Sequence, residues 1–183
     1  IRSYLNEFLS DPRVIDLSAL GRFLLVKGVI LPFRPFKTQA AYKEVWTPNG
    51  SPLFIHTKNL ALDLQKELGD KFQVEFAMRY GAPSLKETVA KFSSSQQLLV
   101  VPLYPQYASS STGSTLAKVH SLLASNWDVP KLQTLHSFYD HPAFIDSLVT
   151  SIQQEKESNK PWKHLLFSYH GIPQRHLQKS QCE

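Results

Sequence analysis

From residue 51 onward the chain repeats one cycle of helix, strand and loop, and this alternation most narrows the folds open to it. Ser51-Pro52 reads as an N-cap followed by proline at the first helical position. Leu53, Leu60, Leu64 and Leu68 then mark an apolar stripe, and Gly69 closes the helix. Phe72 to Met78 reads as a strand that runs into Arg79-Tyr80-Gly81-Ala82-Pro83. Ser84-Leu85-Lys86-Glu87 has the form of a capping box, which predicts a helix with Leu85, Val89 and Phe92 inward. Leu98 to Val101 is a continuous apolar run, the pattern of a strand covered on both faces. A polar-aromatic loop from Tyr104 to Thr115 follows, then a helix with Leu116, Val119, Leu122 and Leu123 inward. Leu132 to His136 reads as a weaker strand, and Asp140-His141-Pro142 opens a helix carrying Phe144, Ile145, Leu148 and Ile152. The last apolar run, Leu165 to Tyr169, reads as a strand that ends at His170.

Strands alternating with helices of this length predict an α/β fold: a parallel sheet of Rossmann type, flanked by helices on both faces. Parallel strands share a direction, so the loops after them open on one edge of the sheet. Three of these loops carry unusual chemistry: Arg79-Tyr80, Tyr104 to Thr115, and His170-Gly171-Ile172-Pro173. Ligands of open α/β sheets sit beyond that edge, and loops are where polar groups act. Gly171 and Pro173 oblige the backbone to turn just after the imidazole. Histidine there can bind a divalent transition metal or exchange a proton near neutral pH. A buried histidine bonded to backbone is the structural alternative.

Composition bounds the partners. The 183 residues suffice for one ordinary domain and part of a second. A net charge of +5 suits an anionic small molecule or an acidic membrane surface. No arginine-rich run or nucleic-acid motif is present, which argues against nucleic acid. Cys182 is the single cysteine, so no internal disulfide can form, and a reducing, cytoplasmic setting fits. The apolar stretch Ala19 to Leu31 is interrupted by Gly21, Arg22, Lys27 and Gly28, and is too short for a bilayer core of roughly 30 Å. Ile1 to Leu5 already reads as mid-helix, with Leu5, Phe8 and Leu9 apolar. The expected organisation is a first α/β half-domain over residues 1–160, lacking its first strand. Residues 161–183 would then be the opening strand and site loop of a second half.

Six motifs occur in order along the chain. They are Tyr4-Leu5-Asn6-Glu7-Phe8-Leu9-Ser10-Asp11-Pro12-Arg13-Val14, Gly28-Val29-Ile30-Leu31-Pro32 and Gly50-Ser51-Pro52-Leu53. Further on stand Met78-Arg79-Tyr80-Gly81-Ala82-Pro83-Ser84, Pro102-Leu103-Tyr104-Pro105-Gln106-Tyr107 and Ser168-Tyr169-His170-Gly171-Ile172-Pro173. In this order and spacing the chain resembles the ferrochelatase family, enzymes that insert Fe²⁺ into a porphyrin. The resemblance implies a chelatase-like fold of two similar α/β halves with the porphyrin cleft between them. It implies haem synthesis from protoporphyrin IX and Fe²⁺, both as substrates, with no permanently bound cofactor. Insertion of iron into coproporphyrin or of cobalt into another tetrapyrrole, and non-catalytic porphyrin or haem binding, remain the alternatives.

The resemblance also carries residue roles. His170 matches the family's active-site histidine, as metal ligand or proton acceptor. Arg79 matches the arginine of the strand-end motif, which either meets a propionate or organises the pocket's polar network; pairing with an Asp or Glu is the plain alternative. Arg34 could meet a propionate, or be a solvated surface arginine. Ser51 corresponds to a position near the porphyrin, although its N-cap role explains it equally well. Tyr107 and Tyr104 could stack on the macrocycle or serve packing. Leu17 to Leu31 corresponds to a lip over the cleft that could touch an anionic membrane through Arg22, Lys27, Arg34 and Lys37; a core helix is the alternative. Some members hold a [2Fe–2S] cluster, one of whose cysteines follows the Pro-Gln-Tyr motif. Ser109 stands at that position, which argues against that form of cluster, while clusters with other cysteine placements stay open. His56, His120, His136, His141, His164 and His176 show no metal-ligand pattern.

Overall fold

The computed structural model describes residues 1–92, 95–158 and 162–180; Cys182 lies outside them. Among the described residues the sheet has two strands, β1 (Gln97–Val100) and β2 (Lys131–Thr134). They pair in parallel, from Gln97 opposite Lys131 to Val100 opposite Thr134. A parallel pair needs a crossover between its strands, and α6 (Ser114–Leu123) supplies it. Its Val119 and Leu123 are buried with Val89 of α5 (Leu85–Ala90) and Leu98 of β1. Leu85, Phe92, Val100, Leu122 and Leu132 surround that core. This is the α/β unit expected from the alternation.

One face of β1 is covered and the other is not: Leu98 is 9% exposed and its neighbour Leu99 is 61% exposed. The expectation of a strand covered on both faces is thereby corrected. Side chains alternate across a strand, and α5 and α6 occupy only the Leu98 side.

Two further strand expectations also change. Residues 72–78 form no ladder and end in a bridge from Met78 to Ser84 with a bond from Met78 N–H to the Pro83 carbonyl (2.7 Å). Leu165 to Tyr169 forms no strand and is unpaired with the sheet, with Leu166 90% exposed. Apolar alternation identifies a chain that fits a sheet surface; only a neighbouring backbone makes it a strand.

A second core lies around α1 (Arg2–Leu9). Leu5 and Leu9 pack on Val26 and Leu31 of a long helical run. That run comprises α2 (Ala19–Phe23), a π-helical turn (Leu24–Ile30) and α3 (Leu31–Val45). Ser18 caps it by accepting the Gly21 N–H at 3.2 Å. The Leu17–Leu31 segment therefore has two sides. Val26 and Leu31 serve the core, while Leu17, Leu20, Phe23, Leu24 and Val29 face solvent.

Helix α4 (Pro52–Leu68) ends at Gly69, whose φ of 65° is a conformation that favours glycine. Ser51 occupies its N-cap position, yet the hydroxyl makes no cap hydrogen bond. Leu53, Leu60, Leu64 and Leu68 are all exposed, so the expected buried stripe is corrected. Gln65 instead ties α4 to the following segment, donating to the Gly69 and Phe72 carbonyls and accepting the Val74 N–H. Ring contact between Phe54 and Phe76 adds to this join. The capping box of α5 forms as expected, with Ser84 Oγ on the Glu87 N–H and Glu87 reaching back to the Ser84 N–H. Helices α7 (Pro142–Ser158) and α8 (Gln174–Ser180) complete the order.

Candidate functional site

The densest polar cluster is built on Asp11, just past the end of α1, and it gathers three parts of the chain. Asp11 Oδ1 accepts the Arg13 N–H at 2.7 Å. Its Oδ2 accepts from Arg79 Nη2, from the Ser114 hydroxyl, and from the Tyr80 hydroxyl at 2.9 Å. Arg79 Nε also donates to Ser114 Oγ (2.8 Å) and to the Ser114 carbonyl (3.2 Å). Its guanidinium carbon lies 4.4 Å from the centre of the Tyr80 ring, within cation–π range. Tyr80 in turn packs edge-on against Phe8, with ring centres 5.1 Å apart.

Local structure explains the convergence. Ser114 opens α6 directly after a π-helical turn (Ser109–Gly113), which presents its hydroxyl to Asp11 and Arg79. Gly81 adopts φ 89°, which sets its N–H on Glu7 Oε2 at 3.0 Å and turns the Arg79-Tyr80 pair toward α1. A residue with a Cβ would be strained at that angle.

Burial and bonding compete at the carboxylate. Burial alone would push the Asp11 carboxyl up, but the bonds from Ser114, Arg13 and Tyr80 and the charge of Arg79 together hold it below the ordinary carboxylate value. Tyr80 is pushed up to about 12, chiefly by burial. Tyr4 is likewise raised to about 12 by burial and by its hydrogen bond with Tyr42.

His170 lies apart from this network, exposed, at the end of the unpaired segment. Its Nδ1 is 2.7 Å from the Gly171 carbonyl oxygen. A carbonyl only accepts, so this contact places the proton on Nδ1 and leaves the Nε2 lone pair available. A neutral imidazole in that state can ligate a metal or take a proton. The buried-histidine alternative does not describe it.

The other candidate residues are spread across the molecule. Arg34 lies exposed on α3, and Ser51 opens α4. The Tyr107 ring stacks on His136, 4.2 Å between centres and 9° from parallel. Ser109 accepts a hydrogen bond from Arg13 Nη1 at 3.1 Å; a hydroxyl offers a cluster iron none of the thiolate bonding of cysteine. An open hollow of about 580 Å³ is lined by Leu135, Phe138, His141 and Phe144, among others, and by none of these candidates. Among the described residues no three His, Cys, Asp or Glu side chains gather where they could hold a metal ion.

Sequence reasoning assigned no role to Asp11, Tyr80 or Ser114, although all but Ser114 stand inside quoted motifs. The available signal was Arg79 itself. A guanidinium at the end of an apolar run needs a buried acceptor, and Asp11 is the acid beside an otherwise apolar helix end.

Helices packed on a parallel strand pair define an α/β protein. A family model described as Ferrochelatase matches residues 1–183, so the chain belongs to the ferrochelatase family. It is 42% identical over 183 residues to a ferrochelatase of Legionella pneumophila (strain Paris), covering all of this chain and 54% of that protein. It is 42% identical over 185 residues to a ferrochelatase of Coxiella burnetii (strain Dugway 5J108-111), covering 51% of that protein. The chain thus spans about half the length of these curated relatives.

Proposed function

We propose that the protein carrying this chain is a ferrochelatase, a lyase that inserts Fe²⁺ into protoporphyrin IX to form haem. The family match along the whole chain carries the reading. The accessible His170, with its proton held on Nδ1, supports it chemically. Metal insertion requires that Fe²⁺ shed water and that two pyrrole N–H protons leave the macrocycle. An imidazole Nε2 lone pair is suited to either task, since it can bind Fe²⁺, a borderline ion that takes nitrogen ligands, or accept a proton.

Propionates at the porphyrin edge call for cations. Arg34, exposed on α3, suits this role, and Ser51 at the start of α4 can donate a hydroxyl. Arg79 is bonded to Asp11 and Ser114, which supports the organising role rather than direct propionate contact. Tyr107, held against His136, can offer the macrocycle only what that stack leaves uncovered. We place Ser109 outside any iron–sulfur ligation.

No helix among the described residues is long and apolar enough to cross a membrane. The exposed side of Leu17–Leu31, with Leu20, Phe23, Leu24 and Val29 beside Arg22 and Lys27, fits peripheral contact with an anionic bilayer from the cytoplasmic side. An apolar porphyrin would be received there.

The test uses the whole protein with anaerobic Fe²⁺ and protoporphyrin IX, followed by loss of porphyrin fluorescence. His170→Ala should slow insertion on the order of 10²-fold or more, the usual scale for losing a proton-transfer group. Unchanged insertion would remove His170 from the chemistry. A faster rate with coproporphyrin than with protoporphyrin would reassign the substrate.

A further inference from the structure

The turn that follows α1 carries a second carboxylate, Asp16, and it binds the far end of the chain. Arg175 Nε donates to both Asp16 oxygens, at 2.8 and 3.0 Å, and Lys179 Nζ donates to Oδ2 at 3.0 Å. The buried His176 ring lies alongside, with Nε2 3.6 Å from Oδ1. Arg175 and Lys179 are one helical turn apart on α8, so a single face of that helix sits on Asp16. The Asp16 side chain is only 10% exposed, whereas the two cations are 60% and 65% exposed. One shielded acid thus holds two solvated bases.

The position of this clasp gives it meaning. Arg175 is five residues beyond His170, a tether that spans at most roughly 17 Å, and Pro173 stiffens it. Residues 165–170 make no ladder with β1 or β2, so the sheet does not set where His170 lies. At its other end the same turn begins with Asp11, which holds Arg79, Tyr80 and Ser114. The backbone between the two acids is itself fixed. The Val14 and Ile15 N–H groups bond to the Asp11 carbonyl (3.1 and 3.0 Å), and Arg22 Nη1 donates to the Ile15 and Leu17 carbonyls (3.3 and 2.9 Å). Val14 and Ile15 pack on the α1 core.

We propose that Asp16 is a positioning residue: by clasping Arg175 and Lys179 it fixes α8, and through it His170, relative to the Arg79 network. The inference rests on the reading of His170 as the group that meets substrate. Asp11 and Asp16 then form the two ends of one bracket, each end holding a different part of the site. Asp16 itself touches no reacting atom.

The test measures kcat and porphyrin KM in the whole protein. Asp16→Ala should lower kcat on the order of 10-fold, since small misplacement of a reacting group is costly, with porphyrin KM unchanged. Asp16→Glu should restore most of that loss. Arg175→Ala with Lys179→Ala should lose as much as Asp16→Ala, and the triple variant should lose no more, because neighbours that share one interaction are not additive. Wild-type kcat in Asp16→Ala, or additive losses in the triple variant, would overturn the inference. So would a fall in melting temperature that accompanies kcat through every variant, Asp16→Glu included. His170→Ala is measured alongside. If it inserts iron normally, the reading of His170 fails; if it is inactive while Asp16→Ala is normal, only the positioning role fails.

Discussion

Arg79 and Asp11 stand 68 residues apart in sequence and meet in a salt bridge whose side chains are 14% and 5% exposed. Breaking such a pair from one side leaves a shielded charge without a partner, at a cost of about 3–5 kcal/mol. Asp11→Ala should therefore destabilise the protein by about that amount in urea unfolding. Ser114→Ala removes a hydroxyl but leaves the ion pair, and should cost less, about 1–3 kcal/mol. The reverse order would mean that the hydroxyl, and not the carboxylate, holds the three segments together.

The same carboxylate sets a pH dependence. Its folded value is lowered, despite burial, by the bonds from Ser114, Arg13 and Tyr80 and by Arg79. A depressed carboxylate stabilises the fold at pH values above its unfolded pKa, about 3.9. That contribution is lost as pH falls from there through the folded value. Asp16, lowered by its bonds to Arg175 and Lys179, acts in the same direction. Urea midpoints measured from pH 7 down to pH 3 should fall more steeply for the wild type than for Asp11→Asn. Parallel curves would show that Asp11 contributes nothing to acid sensitivity.

What was legible in the chain was local. The capping box at Ser84 and Glu87 and the inward face of α6 follow from signals within a few residues, and the parallel relation of β1 to β2 follows from the helix between them. Phe72, Val74, Phe76 and Met78 alternate as a strand should, yet among the described residues only the Met78–Ser84 bridge pairs with them, because pairing is decided by distant chain. The stripe on α4 failed for a related reason: periodicity marks an apolar face without naming what covers it. At the site, His170 and Arg79 stood out by type and context. Asp11 and Asp16 did not, since an acid before or after a proline turn resembles any surface turn until its partners are seen.

Tyr107 offers a test of packing at the loop that carries Ser109. Its ring is stacked on His136, and its hydroxyl oxygen would lie 2.9 Å from a Cβ added at Gly113. The ring cannot retreat without breaking the stack, so Gly113→Ala overpacks the site and should cost about 1–3 kcal/mol. In the Tyr107→Phe background the hydroxyl is gone and most of that cost should disappear. A Gly113→Ala penalty that persists unchanged in Tyr107→Phe would trace it to the helix start instead.

Two of the seven tyrosines should be recognisable by titration. Tyr4 and Tyr80 are both raised to about 12, each chiefly by burial, above the ordinary phenol value near 10. A phenol raised in the folded state stabilises it below the unfolded pKa, and that stability is lost as pH climbs from about 10 through about 12. Phenolate absorbance followed upward in pH should therefore show a late component from these two residues. The Asp11 charge adds to the rise at Tyr80, while Tyr4 owes its further rise to Tyr42, Tyr104 and Tyr80. In Asp11→Asn, which keeps an acceptor for the hydroxyl, the Tyr80 step should move toward lower pH and the Tyr4 step should not fall with it. Two steps that move together, or a late component that is absent in the wild type, would contradict the assignment of the Asp11 charge to Tyr80.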